Sequence, residues 1–262
     1  MATPNYVPGQ VAGQRAAEID AGLRAHMNKV YALMGGAMVI TGFFAYFFGM
    51  DLKALSQAAQ AGSLEGVNTL LPVGLLITLY TPPVVYGLMF APLIFCFAMN
   101  PIINRASIGT AQTVFWVFAA LMGISLASIF VRFTGVSIAQ AFFATAAAFG
   151  ALSIWGYTTQ RDLSGLGTFA IMGLFGAIIL MILNMFFFES SALGMALQVV
   201  ILLASCGLTA YYTQAIKSEY LVLREHGAHE QIERGAIHGA LGLYINFINI
   251  FLSLLSLFGQ QE

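Results

Sequence analysis

The chain has very little charge, and this shortage excludes most classes of soluble protein. Of its 262 residues, 8% are charged and 59% are hydrophobic, whereas an ordinary soluble domain has about 25% charged residues. The ten Lys and Arg residues nearly balance the eleven Asp and Glu residues, so the sequence offers no basic surface for binding nucleic acid. The composition therefore predicts an integral membrane protein.

Cysteine is scarce as well, and its placement argues against a metal centre. Cys96 and Cys206 are the two cysteines, and each lies in an apolar run without a second Cys or a His at ligand spacing. We interpret both as small apolar residues of the packed interior.

Ionisable residues within apolar runs are missing too, although such residues are the usual mark of a functional site in a membrane. Every Asp, Glu, Lys and Arg lies at or beyond the end of an apolar run. One charged stretch, 219–234, contains residues spaced as metal ligands on a helix, namely His226, His229, Glu230 and Glu233. The same stretch also fits a charged surface helix, which is the interpretation we prefer. No nucleophile and base can be assembled, so we expect no catalytic residues, no metal, no cofactor and no enzymatic activity.

Seven apolar runs are long enough to be transmembrane helices, which need about twenty residues. They cover residues 31–48, 82–99, 113–131, 138–155, 168–188, 193–214 and 237–258. Together they predict an all-α, seven-transmembrane helix bundle in one domain, 29–259, after a polar and mobile N-terminal segment, 1–28. The Pro82-Pro83 pair suits a helix start. The last run is the least apolar at its centre, so a re-entrant final segment is the alternative.

The distribution of Lys and Arg predicts the orientation of the bundle. With a cytoplasmic N-terminus, eight basic residues fall on the inside, namely Arg15, Arg24, Lys29, Arg105, Arg161, Lys217, Arg224 and Arg234. Lys53 and Arg132 fall on the outside.

Uncharged polar residues are concentrated in the last two runs, where lipid offers them no hydrogen-bond partner. The sixth run has Tyr211, Tyr212, Thr213 and Gln214, and the seventh has Tyr244, Asn246 and Asn249. Two interpretations are open: hydrogen bonds between helices that fix their register, or a polar vestibule. Because Tyr212 and Asn246 both fall in the cytoplasmic half, we expect the Tyr212 hydroxyl to donate to the Asn246 carbonyl.

Several ordered motifs resemble one known family. The motifs are Met-Phe-Ala-Pro-Leu at 89–93, Ser-Leu-Ala-Ser-Ile-Phe at 125–130, Ala-Leu-Ser-Ile-Trp-Gly-Tyr-Thr-Thr at 151–159, Arg-Asp-Leu-Ser at 161–164, Leu-Thr-Ala-Tyr-Tyr-Thr-Gln at 208–214 and Leu-Tyr-Ile-Asn-Phe-Ile-Asn at 243–249. Over 31–259 the chain resembles the transmembrane Bax inhibitor motif family, in its bacterial YccA-like branch. The resemblance implies a central helix wrapped by the others and, for some members, a calcium leak controlled by pH.

In those members two aspartates share a proton and so latch the pore until the pH rises. At the matching positions this chain has Tyr212 and Asn246, and neither an amide nor a phenol changes charge near neutral pH. Calcium also prefers anionic oxygens. The resemblance therefore implies a leak for calcium or another cation that lacks the pH latch. The alternative is a non-conducting modulator of a membrane-bound protease or another membrane complex, in either case in the lipid bilayer of a bacterial inner membrane.

Overall fold

The computed structural model describes residues 8–62 and 67–261, and within them the regular elements are helices. In chain order these are α1 Pro8–Gln60, α2 Val73–Tyr80, α3 Val84–Arg105, α4 Ile108–Leu126, α5 Ile129–Arg132, α6 Gly135–Thr158, α7 Ser164–Leu183, α8 Ser191–Glu225 and α9 His229–Phe258. A π-helical turn, Asn184–Phe188, continues α7.

The helices confirm the predicted all-α membrane bundle. Within the described residues, six stretches are long and apolar enough to cross a membrane, and α2 with the first part of α3 forms a seventh candidate that bends by 74°. The bend falls at Pro82 and Pro83, which separate α2 from α3. Pro83 is the N-cap residue of α3, as expected of a helix start, but α2 itself was not predicted from the sequence.

Helix α9 occupies the centre of the bundle. It packs against α1, α3, α4, α6 and α8, and just over half of its most apolar stretch is buried within the protein, compared with 17% for α7. Its apolar side chains belong to the largest buried cluster, together with residues of α1, α4 and α6. The polar groups of α9 therefore have to be matched by neighbouring helices or by enclosed water.

The far end of α9 is fixed to the start of α6. The backbone N–H of Gln260 donates to Ser137 Oγ at 3.0 Å, and the N–H of Thr134 donates to the Gln260 carbonyl at 3.1 Å. Phe133 and Gln261 form an antiparallel bridge beside these bonds. Because α9 is one uninterrupted helix that ends there, the re-entrant alternative does not describe this fold.

The N-terminal boundary of the bundle differs from the sequence prediction. Residues 1–7 lie outside the described part, but α1 is already helical from Pro8, and Leu23 and Met27 are buried in the core with Val30. These three residues follow helical spacing, so they form an apolar face. Two of the nearby charges that suggested a mobile segment, Asp20 and Arg24, are exposed.

Two connections are shorter than expected because the helices beside them extend further. Helix α1 continues to Gln60, and the buried carboxylate of Asp51 accepts hydrogen bonds from the backbone N–H groups of Leu70 and Leu71 at 3.0 and 2.9 Å. The stretch 219–234 is not a surface helix. It contains the end of α8, a turn at Gly227 with φ +67° and the start of α9.

Most of the basic residues are gathered at one end of the bundle, which we call the basic end. Because successive long helices alternate in direction, four parts of the chain lie at this end. They are the start of α1, the loop between α3 and α4, the loop between α6 and α7, and the turn between α8 and α9. Lys29 of α1 forms an ion pair with Glu233 of α9 at this end. By the positive-inside rule this end is expected to face the cytoplasm.

We predict that Gly156→Ala destabilises the bundle, whereas Gly150→Ala on the same helix does not. A Cβ at Gly156 would lie 2.3 Å from the Ala210 carbonyl oxygen, so α6 and α8 would have to separate, but a Cβ at Gly150 meets nothing within 4 Å. Overpacking of this kind costs about 1–3 kcal/mol. Thermal unfolding in detergent measures the difference, and because both changes alter helix propensity equally, equal melting temperatures would contradict the prediction.

Candidate functional site

Three contacts at different depths fix the interface between α8 and α9, which we call the seam. Near the basic end, Ile216 packs over Gly239, and a turn further on the ring of Tyr212 lies over Gly242, about 3 Å from where a Cβ would be. Towards the other end, the hydroxyl of Ser253 donates to Gln198 Oε1 at 3.0 Å. These contacts define an antiparallel register for the two helices.

A polar layer lies between these contacts. The register places Asn246 opposite the turn of Thr209 and Asn249 opposite the turn of Ser205, because each pair lies between the Tyr212–Gly242 and Gln198–Ser253 contacts. Ser205, Thr209 and Asn246 are each at most 2% exposed. We call Ser205, Thr209, Asn246 and Asn249 the polar layer.

Two groups of the polar layer are buried without a hydrogen bond. Asn246 Nδ2 and Ser205 Oγ have no partner among the described residues, and the same is true of Ser153 Oγ on α6. Leaving a buried polar group unpaired costs about 1–3 kcal/mol, and native proteins rarely keep one without a reason. The hydroxyl of Thr209 is satisfied within α8, since it donates to the Ser205 carbonyl at 2.8 Å.

The predicted hydrogen bond between Tyr212 and Asn246 does not form. Tyr212 covers Gly242, whereas Asn246 lies about one turn further along α9 with its amide nitrogen unpaired. The two residues do share the seam, as the sequence suggested. The intervening turn separates their polar atoms because the tyrosine ring fills the space that Gly242 leaves free.

The other polar residues predicted on α8 have separate tasks. The ring of Tyr211 lies over Gly167 of α7, so the two adjacent tyrosines pack on different neighbours. Thr213 is buried, and its hydroxyl donates to the Thr209 carbonyl of its own helix at 2.9 Å.

Gln214 holds the loop between α6 and α7. Its Oε1 accepts from the Leu163 N–H at 2.9 Å, and its Nε2 donates to the Arg161 carbonyl at 2.8 Å. In the same loop, the hydroxyl and the N–H of Ser164 bind Asp162 and lower the pKa of that carboxyl group.

Tyr244 faces away from the seam. It is fully buried, shares a 2.6 Å hydrogen bond with Thr41 of α1, and packs edge-on against Phe115 and Phe118 of α4. Tyr244 and Asn246 lie about 200° apart around α9, so they cannot serve one site. Asn249, in contrast, is half-buried and belongs to the polar layer.

The structure adds two residues that the predicted site omitted. Ser205 contributes an unpaired hydroxyl to the polar layer, and Asp51 is a buried carboxylate near the end of α1 opposite the basic end. A spacing of 3.6 residues from Tyr212 through Thr209 would have indicated Ser205. Nothing in the sequence indicates the backbone groups that Asp51 binds.

The fold and the seam define a multi-pass α-helical membrane protein with a neutral polar layer beside its central helix. Comparison with known proteins gives the family: residues 23–262 match the family model described as "Inhibitor of apoptosis-promoting Bax1". The chain belongs to this Bax inhibitor family, as its motifs suggested.

Relatives match over nearly their full length. A protein of Caulobacter vibrioides is 38% identical over 93% of this chain and 92% of its own length. The inner membrane protein YbhL of Escherichia coli is 35% identical over 92% of this chain and 94% of its own length. A protein of Borreliella burgdorferi is 34% identical over 90% of this chain and 92% of its own length.

We predict opposite effects on stability for two substitutions two residues apart on α9. Asn246→Leu removes an unpaired amide, so the free energy of unfolding should stay unchanged or rise. Tyr244→Phe removes the hydrogen bond to Thr41 and should lower it by about 1 kcal/mol. Chemical unfolding in detergent micelles gives both values. A larger loss for Asn246→Leu than for Tyr244→Phe would mean that the amide is well paired and that the polar layer is a structural network.

Proposed function

We propose that the protein is a membrane leak for small cations, with a path that follows the seam between α8 and α9 and is held closed by packing. The observation that supports it is the pair of unpaired buried groups, Asn246 Nδ2 and Ser205 Oγ. Water can solvate both groups when the helices separate, and Ser205 Oγ can also coordinate a passing cation, whereas the amide nitrogen of Asn246 can only donate hydrogen bonds. Unpaired groups of this kind lower stability, and a role in function would account for their presence.

The closing element of this path is Tyr212. Its ring lies over Gly242 between the polar layer and the basic end, and at the other end of the layer the Gln198–Ser253 hydrogen bond joins the helices. An ion would pass only when both contacts give way. The oxygens along the path are neutral, which suits a weakly held monovalent cation better than calcium, since calcium binding generally uses several carboxylates. Calcium remains the ion implied by the family resemblance, so the fluxes of a monovalent cation and of calcium should both be measured.

The proposed location is a bacterial inner membrane, with the basic end in the cytoplasm. The printed name of YbhL, an inner membrane protein, supports this location. We propose no enzymatic activity, cofactor or metal centre, since the residues of the path offer no nucleophile beside a base.

Replacing the closing ring should increase cation flux. In liposomes that contain the full chain, we predict that Tyr212→Ala raises the flux of potassium or calcium by about tenfold, because a barrier about 1.4 kcal/mol lower gives that factor. Tyr211→Ala is the matched control, since that neighbouring ring covers Gly167 of α7 and not the seam. Equal flux for both variants would argue against a path along the seam.

The wild type should show little dependence on pH. An amide does not titrate and a phenol has a reference pKa near 10, so we predict that flux between pH 5 and pH 8 varies by less than about twofold. In the double variant Tyr212→Asp with Asn246→Asp, the ring that separates the two positions is gone, so the two carboxyl groups can approach each other and share a proton at acid pH. Its flux should therefore depend steeply on pH and be low at acid pH. Steep pH dependence in the wild type itself would refute this part of the proposal.

The second candidate is a non-conducting modulator of a membrane-bound protease or another membrane complex. The tight contact between Tyr212 and Gly242 favours it, because a seam that never opens conducts nothing. Absence of flux in the wild type, in Tyr212→Ala and in the double aspartate variant would select this function over the leak.

A further inference from the structure

A groove runs between α1 and α6 at the basic end. Both helices pack against α8 and α9, and the space left between them is a cavity of about 670 Å³. Its lining includes Arg24, Asn28 and Tyr31 of α1 and Ser153 and Tyr157 of α6. None of these residues belongs to the seam between α8 and α9.

The mouth of the groove is polar and carries positive charge. Arg24 is exposed, and its ion pair with Asp20, four residues earlier, is exposed as well; such pairs contribute little and give way easily to a stronger anion. Lys217 of α8 adds a second positive charge, since its Nζ lies 4.9 Å from the centre of the Tyr157 ring and donates to the Tyr157 carbonyl. The guanidinium of Arg24 is well suited to a phosphate group, and Lys217 beside Tyr157 adds to the positive charge of this end of the groove.

The floor of the groove is apolar, with one unpaired hydroxyl. Phe149 and Gly150 line it deeper in the bundle, the exposed side chain of Ile154 lines its outer side, and a side chain at Gly150 would meet nothing within 4 Å. Ser153 is 6% exposed, and its Oγ has no partner among the described residues. Ser153 lies about one turn, or about 6 Å, below Tyr157.

From the mouth of the groove inwards, these groups match the order of chemical groups in a phospholipid, which runs from the phosphate through the ester to the acyl chain. Arg24 lies at the mouth, the buried hydroxyl of Ser153 lies about one turn below Tyr157, and the apolar residues Phe149 and Gly150 lie deeper. Further along the same two helices is a second cavity of about 270 Å³, whose lining includes Met38, Ala139 and Phe143. A free phosphate would use only the mouth, and a protein helix would leave the Ser153 hydroxyl unpaired.

We propose that the groove between α1 and α6 binds an anionic phospholipid from the leaflet at the basic end. The phosphate lies at Arg24, an ester carbonyl accepts a hydrogen bond from Ser153, and an acyl chain passes over Gly150. Because the site is separate from the seam, the proposal holds whether or not the protein conducts ions.

Native mass spectrometry and thermal shift of the full chain in detergent test the site with defined probes: phosphatidylglycerol, phosphatidylcholine and inorganic phosphate. We expect phosphatidylglycerol to bind about tenfold more tightly than phosphatidylcholine, the factor of one charge-assisted contact, and to raise the melting temperature. Inorganic phosphate should do neither.

Two variants separate this groove from the general lipid surface. Gly150→Phe fills the groove and should reduce the binding of phosphatidylglycerol by about tenfold or more. Gly173→Phe is the matched control, because Gly173 of α7 is equally open and lies at a similar depth on another face. Arg24→Gln should abolish the preference for the anionic lipid while retaining some binding.

Four results would overturn the proposal. Equal binding by Gly150→Phe and Gly173→Phe would mean that the lipid lies elsewhere. Equal binding of the two lipids would indicate an unselective annulus. A rise in melting temperature with inorganic phosphate alone would indicate a simple anion site. Displacement of lipid by a second copy of the chain, seen as a dimer, would indicate a protein interface. A folded state that matches the wild type in gel filtration excludes misfolding as the cause.

Discussion

The burial of α9 is the constraint on which the rest of this structure depends. A helix enclosed by five others cannot satisfy its side chains with solvent, so each polar group on it must find a partner on a neighbouring helix or remain unpaired. Tyr244 and Ser253 find partners on α1 and α8. Asn246 does not. The division between satisfied and unsatisfied groups distinguishes the structural faces of α9 from the face that we assign to function.

Small residues set how closely the surrounding helices approach this centre. Gly156 allows α6 to contact the backbone of α8, and Gly239 and Gly242 make room on α9 for Ile216 and Tyr212. In lipid there is no hydrophobic driving force between helices, so close approach and the dispersion contacts it brings supply much of the cohesion. Where glycine instead faces open space, as at Gly150, a groove remains that an amphiphile can occupy.

Composition and run length were enough to predict the class of fold and the positions of most crossings, because about twenty apolar residues have few alternatives in water. The ends of the helices were less predictable. Charges near Leu23 hid an amphipathic turn, and α8 extends to Glu225 beyond its apolar part. The site was predicted in part, since Tyr212 and Asn246 do share the seam. The hydrogen bond expected between them is absent because the Tyr212 ring lies over Gly242, and only the three-dimensional packing determines where that ring lies.

The fastening of α9 at its two ends has a mechanical consequence. Near its start Glu233 pairs with Lys29, and just past its end Gln260 is bonded to the beginning of α6. Because α9 is attached at both ends, it can neither slide nor tilt far without breaking one of these contacts. Helix α7, in contrast, packs mainly against α8. Widening of the seam would therefore come from an outward movement of α8 together with α7, and this movement would also have to loosen the contact between α8 and Gly156 of α6.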